Sequence, residues 1–267
     1  MDSKLVGSAK EEKCLEELKE IVKKNSEEFE NFEWLLDDKF LLHFVRGKKY
    51  KIAKASIALK NYIRIRKHQY KPLFLQLDNF EESTIGIRNG AVSVLRHRDA
   101  FERTIVVINF TFWPDDMTVD QFTQALVLVT EECWNCQKVE TQGVQLIVDL
   151  CSFGWNHLKM FTPSVVYKCV NIFWNNMPIR YKNIHLLNPG SIFEILLKGI
   201  KPFLPSTLRE RLLPHSTDCS ELYKVIPQEN LPISLGGDLD DEDAYDTELV
   251  KRIYAKTEYY QRFVQSL

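Results

Sequence analysis

Apolar and polar positions in the N-terminal part of the chain recur with the period of amphipathic helices. One charged helix is predicted over residues 10–30, a second ends at Gly47, and a third begins near Lys51. Tyr70-Lys71-Pro72 interrupts this pattern. The sequence therefore predicts a small helical bundle at the N-terminus.

From about residue 90 the pattern changes to short apolar runs that alternate with helical segments. The run Val144–Leu150 is almost continuously apolar, which is typical of a strand covered on both faces. Alternation of buried strands with helices, here predicted over 121–138 and 163–177, indicates an α/β sheet sandwiched by helices. The predicted strands are Val92–His97, Thr104–Phe110, Val144–Leu150, Asn183–Asn188 and Leu212–His215.

The segment Ile192–Lys201 is predicted to be a helix that is apolar around most of its circumference. Ser191 and Glu194 have the spacing of a capping box, which places the helix start at Ile192. A surface helix needs only an apolar stripe, so protein core, a bound lipid or a membrane must cover the second face. Because Gly199 and Pro202 weaken its hold on the neighbouring chain, we interpret this helix as a movable lid.

Composition agrees with a large apolar core. Hydrophobic residues make up 45% of the 267 residues, and the sixteen Phe, ten Tyr and five Trp exceed what a minimal core needs. Disorder is therefore excluded, and an apolar cavity is favoured.

The net charge of −2 conceals two segregated blocks of charge. Eleven Lys or Arg and no acid lie between Lys39 and Lys71, and seven acids and no base lie between Asp238 and Glu248. Such blocks are usually solvated faces. The alternative for the basic block is added attraction to a membrane.

The chain carries no recognisable targeting or membrane-spanning segment. Its N-terminus lacks an apolar signal region, and no apolar run approaches the length of a membrane span. Six scattered cysteines are most simply reduced thiols. We expect a cytoplasmic protein with peripheral membrane contact.

Residues that carry chemistry are present but do not assemble into a motif. There is no glycine-rich phosphate loop, His-Glu-x-x-His or Gly-x-Ser-x-Gly. Cys133 and Cys136 form a C-x-x-C at a helix C-terminus, where structural thiols are favoured over redox chemistry. His157, His185 and Asp149 are interpreted as structural, with ligand or base roles as the alternative. We expect a binding protein without catalytic residues, metal or cofactor.

Seven segments, in this order, are similar to the CRAL-TRIO lipid-binding family. They cover about residues 35–240, and the resemblance is closest to the animal branch of α-tocopherol transfer protein and cellular retinaldehyde-binding protein. It implies a mixed, mainly parallel sheet of about five strands, an apolar cavity and a mobile lid helix. The segments are Asp38–Gly47, Glu140–Leu150, Thr162–Ser164, Met177–Arg180, Ile184–Asn188, Ile200–Leu204 and Leu231–Gly237.

The resemblance also implies a domain organisation and two sets of binding residues. The helical bundle would occupy 1–75, the lipid-binding domain 76–240 and a C-terminal helix 241–267. The implied cavity lining is Val144, Ile172, Met177, Ile179 and Ile184, with Phe193, Leu197 and Ile200 from the lid. The implied phosphoinositide-binding residues are Arg180, Lys182 and Arg211, with Arg209 standing in for a basic position that Thr207 occupies.

The expected function is that of an intracellular lipid-transfer protein. It would enclose one hydrophobic molecule (a retinoid, tocol, sterol-like lipid or phospholipid) and exchange it at anionic, phosphoinositide-containing membranes, as a monomer and without nucleic acid. Leu128 and Glu132 occupy the places of the tocopherol binder's serines, which argues against tocopherol. Two alternatives remain: a phosphoinositide-responsive scaffold with a vestigial cavity, and an α/β enzyme whose catalytic set we cannot assemble.

Overall fold

A computed structural model of the chain describes residues 2–137, 139–215 and 219–267. Within these ranges five strands form one sheet in the order β1-β2-β3-β4-β5. β1 is antiparallel to β2 and the other neighbours are parallel, so the predicted mixed, mainly parallel sheet is confirmed. The strands are β1 (Val92–Val94), β2 (Thr104–Asn109), β3 (Val144–Asp149), β4 (Tyr181–Leu187) and β5 (Leu212–His215).

The sheet divides the apolar core into two layers. Successive side chains of a strand point to opposite faces, and in β4 Leu186 belongs to the larger core cluster while Leu187 belongs to the smaller one. The smaller cluster is closed by segments that follow β5, including Leu222 and Leu231. The larger one continues into helices and contains the cavity described below.

Parallel neighbours require crossover connections, and helices supply them. Val119–Gln137 and the single turn Val139–Gln142 connect β2 to β3. Trp155–Met160 and Pro163–Cys169 connect β3 to β4, and Ser191–Ile200 lies between β4 and β5. The predicted helix 163–177 is α-helical only to Cys169 and continues as a π-helical turn, Val170–Asn175.

The N-terminal helices pack against the C-terminal ones. Phe32 meets Phe263 with ring centroids 5.7 Å apart, and Trp34 meets Tyr259 at 5.5 Å. The predicted C-terminal helix is divided into three helices within 241–267, which are separated by the non-helical residues 245–248 and 255–256. The helices concerned are Asp2–Lys24, Asp38–Gly47, Ile52–Arg64, Asp241–Ala244, Leu249–Tyr254 and Thr257–Ser266.

Short helical turns complete the described part of the chain, in which no helix is long and apolar enough to cross a bilayer. The single-turn α-helices are Lys71–Phe74, Phe80–Ser83, Ile85–Arg88, Ser206–Arg209 and Ser220–Tyr223. The others are Ser26–Phe29, Glu33–Leu35, Ile65–Gln69, Phe110–Phe112, Lys201–Phe203, Gln228–Asn230 and Ile233–Leu235.

Candidate functional site

An apolar cavity of about 270 Å³ lies between one face of the sheet and the helices that cross over it. Its floor is formed by alternate residues of three neighbouring strands, because only every second side chain points to this face. Phe122 and Leu126, one helical turn apart on Val119–Gln137, form part of the wall. The floor residues are Val106, Ile108, Val144, Leu146, Val148, Ile184 and Leu186, and Leu212 of β5 extends the lining at one edge.

The helix Ser191–Ile200, hereafter the lid helix, contributes one of its faces to this cavity. Phe193, Leu196, Leu197 and Ile200 line the cavity, whereas Ile195 points away and is 51% exposed. Phe193 packs edge-on against Phe153, with ring centroids 5.5 Å apart. The lid helix is therefore apolar both toward the cavity and toward the outside.

The predicted capping box at the start of the lid helix is wrong. Gly190 is the N-cap and Ser191 is already helical, so the N-terminus has no side-chain cap. The Gly190 backbone is extended, with φ −80° and ψ 170°, which is the conformation an N-cap requires. The lid helix consequently begins without the hydrogen bond that would have fixed its first turn.

Six of the eight predicted lining residues lie in the cavity wall, and two do not. Ile172 and Met177 are both fully buried outside the wall. On the turn Val170–Asn175 the cavity-facing residues are Val170, Phe173 and Trp174, so Ile172 faces the core instead. Met177 contacts the buried Arg66, whose Nη2 lies 3.8 Å from its sulfur. The six that line the wall are Val144, Ile179, Ile184, Phe193, Leu197 and Ile200.

Polar groups in the cavity wall are few and uncharged. The Tyr181 phenol is hydrogen-bonded to Thr130, and burial raises the pKa of Tyr181 well above its ordinary value. Burial also raises the pKa of the Cys169 thiol to about 11. Among the described residues that line the cavity there is no Lys, Arg, Asp or Glu. A charged group enclosed there would lose its hydration without gaining a counter-ion, so the enclosed part of a ligand must be neutral.

A second depression of about 300 Å³, hereafter the basic cleft, lies beside the cavity. Among the described residues that line it there is no carboxylate. Clustered cations without acids form a site for an anion with several negative charges. The basic lining residues are Lys48, Lys49, Lys51, Lys54, Arg180, Lys182 and Arg211.

Close backbone packing brings the basic loop that follows Asp38–Gly47 to this cleft. A Cβ at Gly47 would lie 2.4 Å from the carbonyl oxygen of Pro178, so only glycine permits the approach. Lys49 and Tyr50 then adopt left-handed backbone conformations, with φ of 55° and 60°. Strained conformations of this kind persist where the surrounding structure holds them in place. They turn Lys49 and Lys51 into the cleft.

The predicted phosphoinositide-binding residues have different roles in the structure. The Arg180 guanidinium donates to three backbone carbonyls, those of Gly47 at 3.2 Å, Thr141 at 3.1 Å and Arg46. Arg180 therefore fastens the basic loop in place. Arg209 is exposed on the turn Ser206–Arg209 and does not line the cleft, so its predicted role as a stand-in is not supported.

Lys182 and Arg211 are neighbours in the lining of the cleft. Arg211 donates to the Lys182 carbonyl at 3.4 Å, and its guanidinium lies 5.3 Å from the centroid of the Trp174 ring. Partial burial lowers the pKa of Lys182, and the neighbouring cations, Arg211 among them, lower it further. An anion bound between these cations would relieve their mutual repulsion.

The cavity and the basic cleft share one wall. Trp174, Ile179 and Tyr181 line both depressions. The Trp174 and Tyr181 rings are stacked, with centroids 6.0 Å apart and planes 16° from parallel. The apolar cavity and the cationic cleft are thus in contact with the same aromatic side chains.

The predicted structural residues Asp149, His157 and His185 each have a hydrogen-bonding neighbour within the protein. Asp149 accepts from Asn188 Nδ2 at 3.0 Å, and His157 Nδ1 accepts from the Gly154 amide at 3.0 Å. His185 Nδ1 lies 2.9 Å from Nε2 of His215, both rings being buried. Cys133 is buried; the Cys136 side chain is outside the described structure. Among the described residues no three His, Cys, Asp or Glu are grouped to hold a metal.

Comparison with known proteins gives one family model and several relatives that match most of the chain. A model of the CRAL/TRIO domain matches residues 88–237. The chain is 28% identical to human α-tocopherol transfer protein-like over 223 residues, which is 82% of this chain and 63% of that protein. It is 29% identical to mouse clavesin-1 over 211 residues, which is 76% of this chain and 58% of that protein.

A fungal relative and a solved structure are also similar to this chain. SEC14 cytosolic factor of Eremothecium gossypii is 25% identical over 252 residues, which cover 89% of this chain and 79% of that protein. The crystal structure of Sfh5 superposes with a TM-score of 0.61 over 97% of this chain and 99% of that one, at 13% identity, which shows a shared fold. The chain spans about three fifths of the length of the two animal relatives.

Proposed function

Because the chain belongs to the CRAL/TRIO domain family, we propose that it encloses one largely apolar lipid and exchanges it at membranes that carry phosphorylated headgroups. One observation carries the proposal: a cavity and a basic cleft share a wall, and the described residues include no charged group lining the cavity and no carboxylate lining the cleft. The cavity would hold the apolar body of a lipid. The basic cleft would bind the anionic headgroups of the membrane from which that lipid is taken. Contact with the membrane would be peripheral.

The cavity supports the enclosure of a compact apolar molecule. Its volume of about 270 Å³ is close to the lower end of the range of small-molecule pockets, ~300–1,000 Å³. Its lining comes from four strands and several helices, including the lid helix, so a ligand would be surrounded by apolar side chains from many parts of this domain. No catalytic set is present among the described lining residues, and we propose that no bond is made or broken.

The basic cleft supports recognition of phosphates. Lys182 lies in β4 and Arg211 directly precedes β5, and the segment Lys48–Lys54 supplies further cations. The basic block of the sequence, whose orientation its pattern left open, therefore places part of its charge beside the predicted headgroup residues. We propose that inositol phosphates are bound here as membrane-attached headgroups.

Liposome binding tests the role of the cleft. Each basic contact near an anionic surface contributes roughly 1 kcal/mol. Replacing Lys182 and Arg211 by Ala should therefore weaken binding to vesicles containing phosphatidylinositol bisphosphate by about 2 kcal/mol, roughly 30-fold. Arg209→Ala is the matched control, because this arginine is adjacent in sequence but outside the cleft. Equal losses of vesicle binding in both variants would show that the cleft acts only through general surface charge.

Mass spectrometry of the purified protein tests the role of the cavity. A stoichiometric, neutral, mainly apolar molecule should co-purify or be taken up from vesicles. A protein that binds headgroups normally but remains empty after exposure to lipids would instead favour the scaffold with a vestigial cavity.

A further inference from the structure

We propose that Trp174 couples the basic cleft to the cavity: an anion bound in the cleft draws Arg211 off the Trp174 ring and loosens the wall that Trp174 and Tyr181 form. This inference rests on the proposed function and adds a route by which headgroup binding changes access to the enclosed lipid. The route does not require the lid helix to move first.

Three contacts connect the two depressions in series. Arg211, in the cleft, lies over the Trp174 ring at 5.3 Å. Trp174 stacks on Tyr181 at 6.0 Å, and Tyr181 is hydrogen-bonded to Thr130 in the cavity wall. A change at Arg211 is therefore transmitted through two rings to the inside of the cavity.

Arg211 is the cleft arginine that an anion can move. Arg180 is fastened to three backbone carbonyls, whereas the one hydrogen bond described for Arg211, to the Lys182 carbonyl, is 3.4 Å long and thus weak. A guanidinium forms two parallel charge-assisted hydrogen bonds with a phosphate, and these are stronger than a half-exposed contact with an aromatic face. Phosphate therefore competes successfully for Arg211.

The backbone beneath Trp174 is suited to a moving wall. Trp174 lies on the π-helical turn Val170–Asn175, and such turns interrupt the regular helical hydrogen bonds and recur at functional sites. Trp174 itself is only half-buried, so its ring has room to turn toward the cleft. Ile179, the third shared residue, is buried and holds the remainder of the wall.

Release kinetics without membranes test the coupling. The full chain is loaded with 1-aminoanthracene, a neutral fluorescent probe, and its release is timed with and without soluble inositol 1,4,5-trisphosphate. We expect the anion to accelerate release about two- to fivefold, the factor that corresponds to losing one cation–π contact at an exposed site. In Trp174→Leu the ratio should fall to about one when both proteins are saturated with the trisphosphate.

Two further variants keep the test decisive. Arg211→Lys retains the charge but not the planar guanidinium, so the acceleration of release should be lost in this variant too. It provides the test if Trp174→Leu does not fold. Trp155→Leu, an exposed tryptophan outside both depressions, should behave like the parent protein.

The outcomes separate this inference from the proposed function. If the trisphosphate binds the parent protein but leaves release unchanged, or if Trp174→Leu retains the full acceleration, the coupling is wrong and the proposed function stands. If the trisphosphate does not bind, or if the cavity takes up no probe, the proposed function and the coupling fail together.

Discussion

Two histidines that burial keeps neutral make the folded protein sensitive to acid. Burial, reinforced by the neighbouring His215, lowers the pKa of His185 to about 4, and burial lowers the pKa of His157. Because both values lie below the unfolded value of ~6.5, the unfolded chain binds more protons as the pH falls. Stability that is fully present above about pH 6.5 is therefore lost as the pH falls toward about 4.

Urea denaturation at several pH values should detect this loss. For His185 alone it is on the order of 2–3 kcal/mol, at 1.36 kcal/mol per pKa unit. His185→Gln should flatten the dependence between pH 6.5 and 4, whereas His97→Gln, which alters an exposed histidine, should preserve it. A parent protein equally stable at both ends of this range would contradict the assignment.

The position of the basic loop depends on the absence of a side chain at Gly47. A Cβ there would overlap the carbonyl of Pro178 at 2.4 Å, so Gly47→Ala should destabilise the fold by about 1–3 kcal/mol. It should also weaken headgroup binding, since Lys48–Lys54 would shift away from Lys182. Gly199→Ala is the control: nothing lies within 4 Å of its added methyl, and alanine favours a helix. A loss of stability as large in Gly199→Ala would show that the close approach at Gly47 is unimportant.

Among the elements, the lid helix has two apolar faces with separate tasks. Phe193 lines the cavity and Ile195 is exposed, so a charge can be placed on either face. Phe193→Asp should reduce retention of 1-aminoanthracene, because the enclosed face loses a contact worth ~1.5–3 kcal/mol and gains a buried charge. Ile195→Asp should retain the probe like the parent but transfer it more slowly between vesicles.

Both lid variants are compared in the same retention and transfer assays. Identical behaviour of the two would mean that the faces are not separate. If Phe193→Asp holds and transfers the probe like the parent protein, the lid helix is ordinary core.

The sequence predicted elements better than it predicted which side chains meet. The sheet and the lid helix follow from patterns of local periodicity, because burial of one face dictates them. Val144 and Ile184, the two floor residues that were predicted, follow instead from the family resemblance. Trp174 could not be found in this way, since the π-helical turn changes the number of residues per turn and so displaces Ile172 from the wall. The part of Lys48–Lys54 in the cleft depends on the contact of Gly47 with Pro178, a tertiary contact that no local pattern records.

At the scale of the whole molecule, one buried ion pair joins three parts of the chain. Arg66 of the N-terminal region donates to Glu131 of Val119–Gln137 at 3.0 Å. Glu131 also accepts from Tyr62 at 2.7 Å and from Tyr260 of the C-terminal helix at 3.3 Å. The N-terminal helices, the sheet domain and the C-terminal helix therefore meet at a single carboxylate.

Removing the charge of Glu131 should destabilise all three parts of the chain together. Glu131→Gln leaves the fully buried Arg66 without its counter-ion and should cost about 3–5 kcal/mol of unfolding free energy, in one cooperative transition. Glu248→Gln, which breaks an exposed pair with Lys251, should leave the urea midpoint unchanged. Two resolved transitions in the Glu131→Gln variant would show that the parts fold independently.

Because two distant stretches of sequence form the cleft, an unfolded chain does not contain it. An unfolded chain carries every lysine and arginine of the native one, yet Lys49 and Arg211 are neighbours only when the Gly47–Pro178 contact has formed. The proposed recognition of a polyphosphate therefore requires the intact tertiary structure, whereas net charge does not. A chain that has lost its tertiary structure should therefore lose the proposed membrane recognition as well.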